Sequence, residues 1–520
     1  MGTSDKRYGL SETVNLMEQQ LLNRIHLLFE YRYGQNPQQE FLFTPTKTYT
    51  FEEINSLVNQ IEIELKEHHI NPGDRILIVA ENCPEHIALL LACSRVGAWS
   101  CGVNARMSKG EIANYLQMSD PKLIYFTTAV SPAAQKHAQN YTTTTSILKA
   151  LELYQSTTPA LPAESTLIDK VAAIIFTSGT TGASKGVLVG HAGLTHFGRV
   201  SAESRDLGPS DKSYAYLPMT HIFGLGTVLM ASLYAGASLI LRTQFDPAEA
   251  FEALATGGLT TLQGPSAMYT RLLDYWENLH GPNKKPVFPN LRYVYMGASA
   301  LDYSIKLRVE KFFGFPLNHG YGLSEYAGAI SVTKNHVWRK DTSSGYLVEG
   351  GEVMIVDLDG KELPHGERGE LWIRGIGLMP GYFRDPQATQ LVMRPDGWLA
   401  TGDIAYFDQE GALFVVGRLK EMIIRSGFNV YPAEVEAILN SFPGISQSAV
   451  VGKKEKDGNE TIIGFIQLNA DFKFNEIALK DYLKDHLAPY KLPSTIITLE
   501  KFPLTFSGKI LKRELIESLN

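Results

Sequence analysis

Phe176-Thr177-Ser178-Gly179-Thr180-Thr181-Gly182-Ala183-Ser184-Lys185-Gly186-Val187 continues directly from the apolar run Val171 to Phe176. The apolar run reads as a strand buried in a parallel sheet. A loop of glycines and hydroxyls comes next. Glycine lets backbone N–H groups approach an anion closely, and Ser and Thr hydroxyls add donors. Lys185 adds a positive charge, so the segment asks for a polyphosphate. It is not the Gly-x4-Gly-Lys-Ser/Thr loop, because Ser184 precedes Lys185 and Gly186 comes after it. A flexible surface loop is the plain alternative. A second alternative hides inside: Gly182-Ala183-Ser184-Lys185-Gly186 matches the G-x-S-x-G elbow of serine hydrolases. An elbow needs its Ser at the tip straight after the strand, whereas here seven residues separate Phe176 from Ser184.

Outward from this loop, the chain reads as alternating helix and strand. Arg75 to Ala80 is a second, nearly all-apolar strand. Pro84 suits the first turn of a helix running to about Arg95, and Asn71-Pro72-Gly73 is a turn. Thr50-Phe51-Glu52-Glu53 is a capping box opening a helix with Leu57, Ile61 and Leu65 in its stripe. Strand and helix at this spacing predict a doubly wound α/β architecture. Gln155 to Thr166 reads as a loop. From Gly350 to Val416 short alternating strands predict an antiparallel β subdomain, as in Glu352 to Val356 and Glu370 to Arg374. After Gly417 comes a small α+β unit. Its expected elements are a helix from Pro432 to Leu439, strands Ala449 to Val451 and Thr461 to Leu468, and a helix from Asn475 to Leu487.

The chain has 520 residues, which suggests about three domains, or a large domain plus a small one. Lys plus Arg is 48 and Asp plus Glu is 55, a net charge of -7, so no basic excess argues for nucleic acid. After Gly417 fourteen basic residues meet thirteen acidic ones, so the acidic surplus lies before it. The 3 Cys argue against a disulfide framework and for a reducing, cytoplasmic setting. No apolar run reaches the roughly 18 residues a membrane span needs, and Met1 to Asn23 has no secretory h-region. Lys6 stands where myristoylation wants Ser or Thr.

Further segments join the loop in a fixed order. They are Leu217-Pro218-Met219-Thr220-His221-Ile222-Phe223-Gly224, Gly297-Ala298-Ser299-Ala300-Leu301, and Asn318-His319-Gly320-Tyr321-Gly322-Leu323-Ser324-Glu325. Then come Gly397-Trp398-Leu399-Ala400-Thr401-Gly402-Asp403, Gly417-Arg418-Leu419-Lys420-Glu421, Ser426 to Glu436 (SGFNVYPAEVE) and Ser507-Gly508-Lys509-Ile510. In this order the chain resembles the adenylate-forming superfamily, in its acyl-CoA synthetase branch. The resemblance implies a large domain over 1–416, a hinge at 417–420 with Lys420 at its pivot, and a small mobile domain over 417–520. It implies two half-reactions. A carboxylate attacks the α-phosphorus of ATP and expels pyrophosphate; then a thiol, that of CoA, attacks the acyl-adenylate and expels AMP.

The resemblance also implies roles. Thr177, Ser178, Gly179, Thr180, Thr181, Gly182 and Lys185 would hold phosphates. Lys509 would bridge the acyl carboxylate and the α-phosphate, and Glu325, with Thr177, would hold Mg2+. Gly297, Ala298, Ser299, His319, Gly320, Tyr321, Gly322 and Ser324 would surround the adenine and phosphates, with Tyr321 offering a flat face. Asp403 would accept from the ribose hydroxyls and Arg418 would reach ribose or phosphate. His221 would stand at the acyl pocket, and Gly427 would let a pantetheine arm pass. A structural His, a core Tyr, a turn Asp and a solvated Lys are the plain readings of His221, Tyr321, Asp403 and Lys509.

The Phe-Asp pair of amino-acid-activating relatives is absent, since His221-Ile222-Phe223-Gly224 carries no acid. An α-ammonium would then be buried unpaired, so the expected acid lacks one. Phe223, Gly224, Gly264, Gly328 and Ala329 are expected at the acyl pocket, unless the small ones are merely close backbone contacts. The expected substrate is a medium- or long-chain fatty acid, with an aromatic acid second. The expected acceptor is CoA, with a phosphopantetheinyl carrier protein as alternative, and the expected protein is a monomer or homodimer. A luciferase-like oxygenase and a catalytically silent binding protein are more remote readings, the second disfavoured by Lys509, Glu325 and Lys185.

Overall fold

The computed structural model describes residues 23–157, 160–178, 184–281, 284–299, 301–425, 428–455, 460–469, 472–504 and 510–519. The chain divides into two compact units. The first is Met1–Thr261 (described from Asn23 on) with Gly322–Ala329 and Gly375–Leu391; the second is Leu262–Tyr321, Ile330–Arg374 and Val392–Asn520.

The first unit is doubly wound α/β. Its seven-stranded sheet has Arg75–Ala80, Trp99–Asn104 and Leu123–Phe126 at the centre, every residue of them buried. These strands run parallel, with Val79 opposite both Val103 and Phe126. Helices come after them because the sequence caps each start. Pro84 opens Pro84–Val96, Ser108 forms a capping box with Glu111, and Ser131 caps Pro132–Ala138. The box expected at Thr50 also forms: Glu53 N–H donates to Thr50 Oγ1 at 3.2 Å, and Thr50 N–H donates to Glu53 at 2.9 Å. A second sheet in this unit runs Lys212–Ala215, Ser238–Leu241, Glu40–Phe43, Thr48–Thr50.

The phosphate segment differs from its expected form. Val171–Ser178 is a strand, but Ser184–Gly190 is a strand too, and the two pair antiparallel with Ser178 opposite Ser184. Ser178 and Ser184 thus face each other at the end of an antiparallel pair at a sheet edge. The helix begins only at His191, so the strand–turn–helix that an elbow serine requires is not formed at Ser184.

The second unit carries the parallel pair Tyr293–Met296 and Leu317–Leu323. It also carries the antiparallel subdomain, a four-stranded sheet of Gly351–Val356, Gly369–Gly375, Leu399–Phe407 and Leu413–Arg418. Residues after Glu421 form an α+β part of their own. Its strands are Ile445–Lys454, Glu460–Leu468 and Thr495–Thr498, and its helices are Pro432–Ser441, Glu476–His486 and Lys512–Glu517. Two hydrophobic clusters there, one around Val435, Val450 and Ile466 and one around Ala449, Phe465 and Leu515, draw on no residue before Ile423.

No described helix is long and apolar enough to cross a membrane. Cys83, Cys93 and Cys101 are free and buried, and burial pushes the Cys101 thiol up to about 12.

Candidate active site

The first unit gathers groups expected beside the phosphates. Thr177 pairs with Lys185 across the hairpin. The strand Ser184–Gly190 lies beside the 3-10 turn Ser324–Tyr326, which presents Glu325. Ala327 closes that turn in the left-handed region at φ 51, donating its N–H to Ser324 O at 3.0 Å. A third segment completes the cluster. Met379 N–H donates to Glu325 O at 2.9 Å, and Tyr382 O–H donates to Glu325 Oε1 at 3.0 Å. Lys185 Nζ stands 4.5 Å from the centroid of the Tyr382 ring, a cation–π distance. Sequence reading missed Tyr382. Pro380-Gly381-Tyr382 reads as an ordinary turn, and only the fold carries it to residues 57 and 197 positions away.

The acyl segment lies in the same unit. Asn82, also missed, holds it from beneath. The Asn82 side chain donates to Leu217 O at 2.9 Å and accepts from Met219 N–H at 3.0 Å. His221 Nδ1 accepts from Phe223 N–H at 3.2 Å, which leaves the proton of a neutral ring on Nε2. Phe223–Met230 is a π-helix, a rare wide turn found mostly at functional sites. Two of the small residues expected at the pocket, Gly224 and Gly328, are close-packed instead. A Cβ on Gly224 would fall 2.3 Å from Pro218 O, and one on Gly328 would fall 2.1 Å from the Phe197 ring. The close-contact reading describes the Cβ direction at both.

The second unit gathers the groups expected beside the nucleoside. Tyr321 O–H donates to Asp403 Oδ2, and Arg418 Nε meets Asp403 Oδ1 at 3.1 Å. Burial, and then the Asp403 carboxylate, raise the Tyr321 phenol well above its usual range, so it remains a donor. Asp403 itself is 6 % exposed, and its N–H donates to Thr401 Oγ1 at 3.0 Å. His319 donates from Nδ1 to Met296 O at 2.8 Å; burial lowers its pKa to about 4 and keeps it neutral. Gly297 N–H donates to Gly264 O at 3.2 Å, and Ala298 adopts φ 71. Lys420 lies in the 3-10 turn Leu419–Glu421. Gly179, Thr180, Thr181, Gly182, Gly427 and Lys509 lie outside the described residues, as does the side chain of Ser178.

No group of three or more His, Cys, Asp or Glu among the described residues could hold a metal by itself. A single carboxylate suits Mg2+, which keeps waters and takes its remaining ligands from substrate phosphates. Glu325, hydrogen-bonded and next to a phosphate-type hairpin, fits that role.

The main domain model of the AMP-binding enzyme family matches residues 29–383, and the model of its C-terminal domain matches residues 434–509. A 4-coumarate–CoA ligase of Solanum tuberosum is 31 % identical over 492 residues, covering 90 % of this chain and 88 % of that one. The ATP-bound structure of MatB from Rhodopseudomonas palustris superposes with TM-score 0.84 at 25 % identity, covering 95 % of this chain and 99 % of that one. The o-succinylbenzoate–CoA synthetase of Bacillus subtilis, in complex with ATP and magnesium, does so with TM-score 0.79 at 25 % identity, covering 94 % and 98 %. The chain thus belongs to the AMP-binding, adenylate-forming enzyme family, with both its large domain and its small C-terminal domain.

Proposed function

We propose that this enzyme joins an aromatic carboxylic acid to CoA through an acyl-adenylate, with ATP cleaved to AMP and pyrophosphate. The observation that carries this reading is the cluster of Lys185, Glu325 and Tyr382 beside the phosphate hairpin, in a chain matched by both parts of the family.

In the first half-reaction the acid's carboxylate oxygen bonds to the α-phosphorus, and the bond to the pyrophosphate oxygen breaks. The chain's work is electrostatic: to hold charge at the attacking and leaving oxygens. Lys185 faces the phosphates from the hairpin. Glu325 holds Mg2+, which when bound neutralises phosphate charge. Asp403 accepts from the ribose hydroxyls and Arg418 steadies that carboxylate. Lys509 contacts the acyl carboxylate and α-phosphate. In the second half-reaction the small domain turns about Lys420, withdraws Lys509 and brings the Gly427 region in. The CoA sulfur then bonds to the acyl carbon as the bond to AMP breaks.

The acid is read as aromatic in place of a fatty chain. Two of the similar proteins are named for 4-coumarate and o-succinylbenzoate, both ring-bearing acids. The Cβ directions at Gly224 and Gly328 are filled by protein, so those glycines argue neither for an elongated chain nor for a ring. The test is ATP–pyrophosphate exchange and acyl-CoA formation with purified protein, Mg2+ and matched panels of aryl, arylpropenoic and fatty acids. Aryl acids are expected to give the higher kcat/KM. Preference for the fatty acids, or acylation of a phosphopantetheinyl carrier without acyl-CoA, would overturn the corresponding half of the reading.

A further inference from the structure

Tyr382 is fixed more firmly than a surface turn requires. Its flanks are bonded to the hairpin: Leu188 N–H donates to Gly381 O at 3.1 Å, and Phe383 N–H donates to Gly186 O at 2.7 Å. Its own N–H donates to Thr389 Oγ1 at 2.9 Å, and that hydroxyl donates to Asp385 O at 2.8 Å. The next ring, Phe383, packs edge-on to Trp99 at 6.1 Å. The Tyr382 residue is 8 % exposed. From this anchorage two features of one ring reach two charges of opposite sign. The hydroxyl donates to Glu325 Oε1, and the face of the ring lies under Lys185 Nζ.

We propose that Tyr382 is a positioning residue serving both charged arms of the phosphate site. Its hydroxyl fixes the Glu325 carboxylate for the divalent cation, and its π face holds the Lys185 ammonium toward the phosphates. A carboxylate free to rotate, or a lysine free among its rotamers, must be ordered anew each time nucleotide binds, and that ordering costs affinity. An anchored tyrosine orders both in advance. The proposal rests on the proposed roles of Glu325 and Lys185 in holding metal and phosphate.

The two features of the ring can be altered separately. Tyr382→Phe deletes the hydroxyl and keeps the ring. Phe with increasing fluorine substitution, placed at 382 by nonsense suppression, drains the π face while keeping its shape. The readouts are Mn2+ binding to the enzyme–ATP complex by electron paramagnetic resonance, and calorimetric binding of ATP without metal. Tyr382→Phe is expected to weaken Mn2+ binding roughly tenfold, the scale of one hydrogen bond to a charged group, and to leave metal-free ATP binding within about twofold. Fluorination is expected to weaken metal-free ATP binding stepwise, a few-fold in all, with little further effect on Mn2+. Unchanged Mn2+ affinity in Tyr382→Phe, or no fluorine trend in ATP binding, overturns the proposal. Glu325→Gln separates the two levels. If it too leaves Mn2+ affinity unchanged, the reading of Glu325 has failed; if it abolishes Mn2+ binding while Tyr382→Phe does not weaken it, only the role of Tyr382 has failed.

Discussion

At the scale of the residue, Asp403 shows how a common turn motif acquires a held carboxylate, proposed here to meet the ribose. Thr401-Gly402-Asp403 would suit any turn. Here the Asp403 carboxylate is buried between a phenol and a guanidinium, so its orientation is set. Removing one hydrogen-bonded charge from such a site costs about 1.5–3 kcal/mol. Asp403→Ala is therefore expected to lower kcat/KM for ATP roughly ten- to a hundredfold, with KM for the acid little changed. Initial rates of pyrophosphate exchange at varied ATP and acid measure the split. Equal losses against both substrates would assign Asp403 to folding alone. The residues that sequence reading missed, Tyr382 and Asn82, share a cause. Their chemistry is ordinary, and only their distant partners set them apart.

At the scale of the element, periodicity and capping were legible and hydrogen-bond satisfaction was not. The helix Pro84–Val96 begins at the proline the sequence marks, yet it buries His86 completely. Neither ring nitrogen of His86 has a hydrogen-bond partner among the described residues. Burial alone lowers its pKa to about 4, while an unfolded chain titrates His near 6.5. Between those values the unfolded state binds more protons, so stability is full above about pH 6.5 and falls as pH drops toward 4. One such ring loses about 3 kcal/mol over that window. His86→Leu is expected to flatten the fall in stability between about pH 6.5 and 4.5, and to add about 1 kcal/mol near pH 7.5 by removing unpaired polar atoms. Urea denaturation across that range checks both; a parallel fall in variant and parent would refute it. Likewise the π-helix Phe223–Met230 follows from no local preference visible in its sequence, because widening the turn gains only through tertiary packing.

At the scale of the whole molecule, the mechanism proposed above has Lys509 serve one step and leave for the other. The part of the second unit after Glu421 has its own hydrophobic clusters, as a moving body requires. Lys512 is half-buried in an ion-paired triad, 2.8 Å from Glu436 and 3.2 Å from Glu421. It thereby ties the C-terminal helix to the turn that holds Lys420. Leu504 and Ile510 form a β-bridge on either side of the segment containing Lys509. On this arrangement Lys509→Ala is expected to abolish acyl-adenylate formation, by at least roughly a hundredfold, and to spare thioester formation from supplied acyl-adenylate. Single-turnover assays of the two half-reactions measure this. Equal loss of both would refute two orientations of the small domain.

Residue type and local spacing were enough to settle the alternation of buried strands and capped helices and the ordered motifs that mark the family. Each is written within a few positions of chain, where backbone geometry acts locally. Long-range packing was needed for the rest: the strand Ser184–Gly190 pairs back onto Val171–Ser178, Phe197 fills the space beside Gly328, and Tyr382 meets Glu325 and Lys185. The side-chain contacts among these join residues tens to hundreds of positions apart. No local periodicity encodes them, because which distant side chains meet is set by how whole sheets and helices fill the core.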